Sequence, residues 1–154
     1  MNIVEELHAI AAALRGAGIP YAVCGGIAVT AYGATRSTKD IDVALARDHL
    51  PAALAAVAPL GYTIPAGPTV FGEGTPNERH VQRVNKIAGA DHLVLDLLLA
   101  EAAYVGVLDD RVDIPLPAGT ITFVSRDTLL RMKRLAGRPI DLADIAKLED
   151  DDAP

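Results

Sequence analysis

The sequence predicts a single α/β domain, and three observations lead to this fold class. The chain has 154 residues, which is a length typical of one domain. Hydrophobic residues make up 51% of it and charged residues 22%, which is enough apolar material for a core and excludes intrinsic disorder. Segments with the 3.6-residue period of a helix alternate with short apolar runs that are typical of strands.

The first part of the chain predicts strands placed between helices. Apolar residues from Val4 to Leu14 recur at helical spacing, and Gly16 ends this pattern. The segments that follow are short, apolar and bounded by glycine, proline or polar residues. They predict a buried strand over 21–24, a short helix over 27–32, a strand over 40–45 and a helix through 50–57. Residues 61–78 are rich in glycine and proline, which predicts a mobile loop.

The second part of the chain predicts strands first and helices last. The predicted elements are strands over 80–87 and 93–99 joined by a turn at Gly89, a helical turn or two over 100–107, and a short strand over 121–124. Ser125 is a typical helix N-cap, and Gly137 ends the helix that it begins. Leu142, Ile145 and Leu148 predict a last helix. The domain is therefore expected to span 1–148, followed by a solvated, frayed acidic tail over 149–154.

Composition excludes several classes of protein. Fourteen Lys and Arg against twenty Asp and Glu give a net charge of −6, so the chain cannot coat long nucleic acids by bulk charge, and any such contact requires a local patch. The single cysteine, Cys24, excludes an internal disulfide and is expected to be a small buried residue. The N-terminus lacks a basic signal-peptide start, and no apolar run is long enough for a membrane span. We therefore expect a cytoplasmic location.

Asp40 and Asp42 are the first candidate functional residues. Residues two apart in a strand point to the same face, so these carboxylates stand side by side while Ile41 and Val43 face the core. Like charges in this position repel, and both stay ionised only when a cation lies between them. The alternative is a solvated strand end.

Asp96 is the second candidate, because it lies within the apolar run 93–99. A buried carboxylate costs several kcal/mol unless it is paired, protonated or bound to a metal. The purely structural alternative is an ion pair with Arg79 or Arg83 on the preceding strand.

Gly25 and Gly26, between a strand and a helix, are the third candidate. Glycines in this position let a phosphate approach backbone N–H groups, although a tight turn would also require them. Taken together, a glycine turn, an Asp-x-Asp strand and a later strand with one aspartate predict a two-metal site for phosphoryl transfer, in which two divalent ions about 3.5–4 Å apart bind a triphosphate.

This arrangement resembles the DNA polymerase β-like nucleotidyltransferase superfamily. Its pattern is a Gly-Gly or Gly-Ser turn, a hydrophobic-flanked Asp-x-Asp about ten residues later, and a third Asp on a later strand. The stretches 25–28 and 36–43, and the closing segment 132–145, look most like the small prokaryotic AbiEii-type enzymes, which are toxins of type IV toxin–antitoxin systems. Ile27 departs from the pattern, since many relatives have Ser after the first Gly.

The resemblance implies a minimal nucleotidyltransferase fold, with a mixed central sheet flanked by helices and further helices at the C-terminus. It implies an enzyme that uses Mg²⁺ or Mn²⁺ to move a nucleoside monophosphate from an NTP such as ATP to a hydroxyl. Asp40, Asp42 and Asp96 would hold the metals and carry the catalysis, and Lys133 would contact the triphosphate. The acceptor would be a tRNA 3′ end or a small molecule such as an antibiotic.

Several further residues carry weaker signals. Arg36 and Thr38 precede the Asp pair and either contact phosphate or belong to a solvated loop. A basic segment near the C-terminus predicts a surface for RNA or triphosphate, or else a solvated helix face; its members are Arg126, Arg131, Lys133, Arg134 and Arg138. The four histidines show no ligand spacing. A chain of this size leaves little surface for an acceptor, so an antitoxin or a second copy is an expected partner. The rival interpretation is a nucleotide- or partner-binding module with little turnover.

Overall fold

A computed structural model describes residues 2–150, which form a seven-stranded mixed sheet with five helices. The strands are β1 (Ala22–Cys24), β2 (Asp40–Leu45), β3 (Ile64–Phe71), β4 (Arg79–Ala88), β5 (Asp91–Leu99), β6 (Val112–Leu116) and β7 (Gly119–Phe123). The helices are α1 (Ile3–Gly16), α2 (Gly25–Ala31), α3 (Leu50–Val57), α4 (Arg126–Ala136) and α5 (Pro139–Asp150). Short 3₁₀ turns lie at Arg47–His49, Ala58–Leu60 and Ala102–Tyr104. The α/β prediction is confirmed.

The strand order is β3-β4-β5-β2-β1-β7-β6. The central strand β2 pairs antiparallel with β1 and parallel with β5, and β5 pairs antiparallel with β4. This register places Cys24, Asp42, Asp96 and Arg83 directly opposite one another on four neighbouring strands. We call these four residues the paired row. They project from the same face of the sheet, since directly opposite residues share a face.

The two faces of the sheet carry different helices. Lys86 is three residues beyond Arg83 in β4 and therefore projects from the opposite face. Its ammonium binds both oxygens of Glu6 in α1, at 3.0 and 3.1 Å, so α1 covers the face away from the paired row. Helices α2, α4 and α5 pack together on the other face. As predicted, Ile41 and Val43 are fully buried in the core.

Both edges of the sheet differ from the prediction. The loop predicted over 61–78 is wrong for its first half, because β3 pairs with β4 from Ile64 to Phe71 with a bulge between Ala66 and Thr69. Strand β6 is likewise not predicted from the sequence. Both are edge strands that contain proline, which an edge tolerates because only one side of the strand needs hydrogen bonds. The composition that suggested a loop is therefore the composition of a sheet edge.

The C-terminal helices follow the predicted signals. The Ser125 hydroxyl accepts the amide N–H of Thr128 at 3.0 Å, and Gly137 ends α4 with φ of 64°. Pro139 opens α5, where its missing N–H costs nothing. This helix continues to Asp150, and residues 151–154 of the predicted tail lie outside the described residues. Across residues 2–150, every helix is too short or too polar to cross a bilayer.

Candidate active site

A cavity of about 580 Å³ opens on the face of the paired row. Three predicted acidic residues, Asp40, Asp42 and Asp96, lie along one side of it. The glycine turn and the segment before β2 form a second side, with Gly25, Gly26, Arg36 and Thr38. Helices α4 and α5 contribute Lys133, Arg138 and Asp141, and strands β3 and β4 contribute Phe71, Arg79 and Arg83. The fold thus brings the three predicted aspartates, both glycines, Arg36, Thr38 and Lys133 to one cavity.

Asp42 has a raised pKa. Burial, together with the charges of Asp96 and Asp40, raises its pKa to about 7. Lys133 and Arg138 oppose this effect, but they do not balance it. Burial and two acidic neighbours therefore disfavour the ionised form of Asp42. A divalent cation between Asp40 and Asp42 would stabilise that form, so these two residues fit the predicted metal.

Gly25 and Gly26 lie directly against side chains that line the cavity. Gly25 has φ of +66°, and a Cβ there would overlap the Asp42 carboxylate. A Cβ on Gly26 would overlap the Arg36 guanidinium and lie 3.0 Å from the Thr38 hydroxyl. The turn is therefore pressed against the same side chains that line the cavity. Gly25 is needed both for its positive φ and for this close approach to Asp42, whereas the atoms nearest to Gly26 belong to the flexible end of Arg36.

Asp96 makes the ion pair that was the structural alternative. Arg83 Nε lies 2.9 Å from its Oδ1, and Arg83 Nη2 lies 3.0 Å from its Oδ2. Arg79 instead donates to the Asn77 carbonyl and lies over the Phe71 ring at 5.3 Å. Within residues 2–150, no three His, Cys, Asp or Glu side chains are already arranged around a metal position. Asp40 and Asp42 thus fit a cation, whereas both Asp96 oxygens bind a guanidinium.

The cationic side of the cavity is held by two acidic residues that sequence reasoning missed. Lys133 Nζ binds Asp141 at 3.2 Å and Asp144 at 3.0 Å, and Arg138 Nε binds Asp141 at 2.7 Å. Arg36 Nε lies 3.4 Å from Asp144. Lys133, Asp141 and Asp144 are only 5%, 0% and 1% exposed. This buried network fixes three cationic side chains at the cavity.

A signal for these acids exists in the sequence. Asp141, Asp144, Ile145 and Leu148 follow the i, i+3, i+4, i+7 spacing of the buried face of a helix. Two carboxylates on such a face require cationic partners. The basic residue Lys133 of α4 lies against both of them, although the charge pattern of that segment predicted either a ligand-binding surface or a solvated helix face.

The predicted basic segment is divided by the fold. Lys133 and Arg138 line the cavity, whereas Arg131 donates to the carbonyls of Ala103 and Val105, each at 3.2 Å. Arg134 binds Glu149 at 2.6 Å on the surface. A helix turns 100° per residue, so neighbouring basic residues point in different directions. One continuous surface for RNA is therefore not formed by these side chains.

Two other residue predictions have clear outcomes. Cys24 is fully buried, as expected. His80 bridges Glu101 at 2.7 Å and Glu78 at 2.9 Å, which is a structural role. Phe71, Arg79 and Tyr104 also line the cavity and were not predicted. The first of them was missed because its strand was interpreted as a loop.

No family model and no curated protein sequence matches this chain. Solved structures do match its fold. A candidate nucleotidyltransferase of Thermotoga maritima has a TM-score of 0.63 at 12% identity, covering 97% of this chain and 93% of that one. ANT(2″)-Ia in complex with adenylyl-2″-tobramycin has a TM-score of 0.61 at 16% sequence identity, and the match covers 98% of this chain and 90% of that one. The protein JHP933 of Helicobacter pylori has a TM-score of 0.52 at 18% identity, and the match covers 95% of this chain and 64% of that one.

These similarities establish the fold. The chain has the nucleotidyltransferase fold over nearly its whole length, and the predicted fold class is confirmed. At sequence identities of 12–18%, the similarity to these structures concerns the arrangement of the backbone only. The AbiEii subtype stays a prediction.

Proposed function

We propose that the protein is a metal-dependent nucleotidyltransferase, which transfers a nucleoside monophosphate from an NTP to a hydroxyl and releases pyrophosphate. The observation that carries this proposal is the cavity itself. Three carboxylates lie on one side, and Lys133, Arg138 and Arg36 lie on another. A nucleoside triphosphate with its divalent ion matches this division, because the ion seeks carboxylates and the phosphates seek cations.

The residues of the chain have distinct roles in this proposal. Asp40 and Asp42 hold Mg²⁺ or Mn²⁺, and Asp96 completes the set. When bound, such an ion neutralises phosphate charge and lowers the pKa of a hydroxyl group. Lys133 has three donors, of which Asp141 accepts one as a hydrogen bond, while Asp144 is an ion-pair partner at 3.0 Å, so Lys133 retains donors for the triphosphate. Gly25 and Gly26 leave room for the phosphates beside Arg36 and Thr38.

The transfer step conserves atoms and charge in a simple way. The oxygen of the acceptor hydroxyl forms a bond to the α-phosphorus of the NTP. The bond from that phosphorus to the oxygen bridging the α- and β-phosphates breaks, and pyrophosphate leaves with the electron pair. The hydroxyl proton passes to the Asp96 carboxylate. The cationic side of the cavity stabilises the charge that develops on the leaving pyrophosphate.

An acceptor that carries phosphate can contact the cationic side chains of the cavity, which are Arg36, Arg79, Arg83, Lys133 and Arg138. The acids lining it are the three carboxylates and Asp141, and the last is already paired with Lys133 and Arg138. The side formed by β3 and β4 bears Arg79 over the Phe71 ring. An aromatic ring with an arginine is a surface on which an unpaired base can stack. This surface supports an RNA 3′ end as the acceptor, and the resemblance to AbiEii-type enzymes leads us to propose that of a tRNA.

The resemblance of residues 25–28, 36–43 and 132–145 to AbiEii-type enzymes extends this proposal to a type IV toxin that acts in the cytoplasm and has an antitoxin partner. The second candidate is a small-molecule hydroxyl. It is supported by the shared fold of ANT(2″)-Ia, whose structure contains an adenylylated antibiotic. The third is a nucleotide-binding module with little turnover, and the pairing of Asp96 with Arg83 favours it.

The decisive experiment offers both kinds of acceptor at once. The protein is incubated with Mg²⁺ and each labelled NTP in turn, together with total RNA and a panel of hydroxyl-bearing antibiotics. Mass spectrometry identifies the product, and a coupled assay measures pyrophosphate. We expect nucleotide addition to RNA. A modified antibiotic would instead establish the second candidate, and bound NTP without pyrophosphate the third.

Matched variants test the carboxylate assignment in the same assay. Asp40→Asn is expected to lower transfer by at least a hundredfold, because loss of one metal-binding carboxylate removes several kcal/mol of transition-state stabilisation. Asp48→Asn changes an exposed acid in a 3₁₀ turn that does not line the cavity, and it should leave transfer unchanged. Activity of Asp40→Asn within tenfold of wild type would refute the assignment.

A further inference from the structure

The arginine bound to the third carboxylate is the most informative contact in the site. Arg83 and Asp96 are directly opposite in the register of β4 and β5. Arg83 makes two parallel hydrogen bonds, one to each carboxylate oxygen, at 2.9 and 3.0 Å. This fork-to-fork geometry is the strongest form of an arginine–carboxylate pair. The register of β4 and β5 places the two residues opposite each other, so the fold itself brings this ion pair together.

The pair is placed where a cation is needed. Asp96 is itself directly opposite Asp42 on β2, so the guanidinium continues a row of two carboxylates. The positive charge of Arg83 lies at the end of this row and interacts with Asp40 and Asp42 as well as with Asp96. Arg83 therefore supplies part of the charge that a divalent ion would supply.

A divalent ion and this guanidinium compete for the same oxygens. The ion and the guanidinium both bind in the plane of the carboxylate, and both carry positive charge. Simultaneous binding therefore brings like charges within a few ångströms of each other. The Arg83 side chain is 45% exposed, whereas that of Asp96 is 12% exposed. Arg83 thus has open solvent to move into, and Asp96 has no such freedom.

We propose that Arg83 is a positioning residue that occupies the third carboxylate in the ion-free protein and must leave it before a divalent ion can use that carboxylate. The inference rests on the proposed function and goes beyond it. It makes Arg83 the residue that sets how tightly the free protein binds its ion.

The test measures ion binding without turnover. Mn²⁺ is titrated into nucleotide-free protein, and free Mn²⁺ is followed by electron paramagnetic resonance. Arg83→Gln should bind Mn²⁺ at least tenfold more tightly than wild type, because one charge-assisted pair no longer competes. Arg79→Gln is the matched control: Arg79 lines the same cavity on the same strand but binds the Asn77 carbonyl. Its affinity should equal that of wild type.

Stability gives an independent measurement. In EDTA, Arg83→Gln should unfold at lower urea than wild type, since three carboxylates then lack a partner. In saturating Mn²⁺ this deficit should disappear. A deficit of equal size with and without Mn²⁺ would assign Arg83 a merely structural role and overturn the proposal, as would unchanged or weaker Mn²⁺ binding by Arg83→Gln.

The two proposals fail in different ways. Mn²⁺ binding that is lost in Asp40→Asn but equal in wild type and Arg83→Gln would refute the role of Arg83 and leave the nucleotidyltransferase intact. Absence of any Asp40-dependent Mn²⁺ binding, in wild type and in Arg83→Gln, would refute both.

Discussion

Replacing Asp42 with asparagine should stabilise the ion-free protein at alkaline pH. The side chain is held among two other carboxylates in a largely buried position, which raises its pKa from 3.8 to about 7. Each tenfold change in a proton-binding constant corresponds to about 1.4 kcal/mol. Ionising this carboxyl group in the folded state therefore costs roughly 4 kcal/mol at pH 8 relative to the unfolded chain.

The net gain is smaller than this cost. Asparagine has nearly the same shape as aspartate, but the polar atoms of its amide lack partners in the site, which costs about 1–3 kcal/mol. We expect Asp42→Asn to be more stable than wild type by about 2 kcal/mol at pH 8. For a domain of this size, that gain raises the melting temperature by about 4–8 °C.

The sign of the pH dependence separates this explanation from a general packing effect. Because the folded-state pKa of Asp42 is raised, its protonated form stabilises the native protein below pH 3.8, and this contribution is lost as the pH rises through about 7. The advantage of the variant should therefore be largest above pH 7 and nearly vanish at pH 5. Asp48→Asn, on the exposed 3₁₀ turn, should match wild type at both values.

Urea unfolding in EDTA at pH 5 and pH 8, followed by circular dichroism, measures these differences. A variant that is no more stable than wild type at pH 8, or whose advantage is the same at both pH values, would contradict the argument. Addition of Mg²⁺ and NTP should reverse the order. Wild type should gain about 2.7 kcal/mol when the ligand is at a hundred times its Kd, and Asp42→Asn should gain much less.

Two further predictions concern other parts of the site. Gly25→Ala should destabilise the protein and abolish transfer, because the new methyl group displaces the Asp42 carboxylate and the backbone φ is +66°. Gly16→Ala is its control, with nothing within 4 Å of the added carbon at the end of α1, and thermal melting should show a gain of about 0.5–1 kcal/mol; equal effects of the two variants would contradict the close approach. If RNA is the acceptor, Arg79→Ala should weaken tRNA binding and reduce its dependence on salt, with the slope falling by about 0.7 if Arg79 binds one phosphate in wild type. Arg131→Ala combined with Arg134→Ala should leave tRNA binding unchanged, because these arginines bind the carbonyls of Ala103 and Val105 and the Glu149 carboxylate. A wild-type affinity for tRNA that does not change with salt would favour a small-molecule acceptor.

The chemistry of the candidate site could be predicted from the sequence because it depends on local patterns. Two aspartates separated by one residue in a strand must share a face, and Ile41 and Val43 must face the core opposite them. An aspartate inside the apolar run 93–99 must be paired, protonated or bound to a metal. A pair of glycines between a strand and a helix indicates either close approach of a phosphate or a tight turn. Each inference needs only residues that are near one another in the chain.

The edge strands of the sheet could not be predicted, because they depend on contacts between residues far apart in the chain. A strand that contains Pro65 and Pro68 is unfavourable alone and becomes stable only beside β4, which supplies hydrogen bonds on one side. Glycine and proline are equally typical of loops and of such edges. The sequence therefore did not predict that residues of β3, such as Phe71, line the cavity.

The sequence by itself determined the α/β class, the three carboxylates and the glycine turn, because hydrophobic period and local charge cost act within a few residues. Only the tertiary structure decided which cation each carboxylate meets. The register of β4 and β5 places Arg83 opposite Asp96, where the two side chains form an ion pair. The packing of α4 on α5 brings Lys133 into contact with Asp141 and Asp144. Ion pairs of this kind join separate elements of the fold, and their geometry exists only after the strands have paired and the helices have packed.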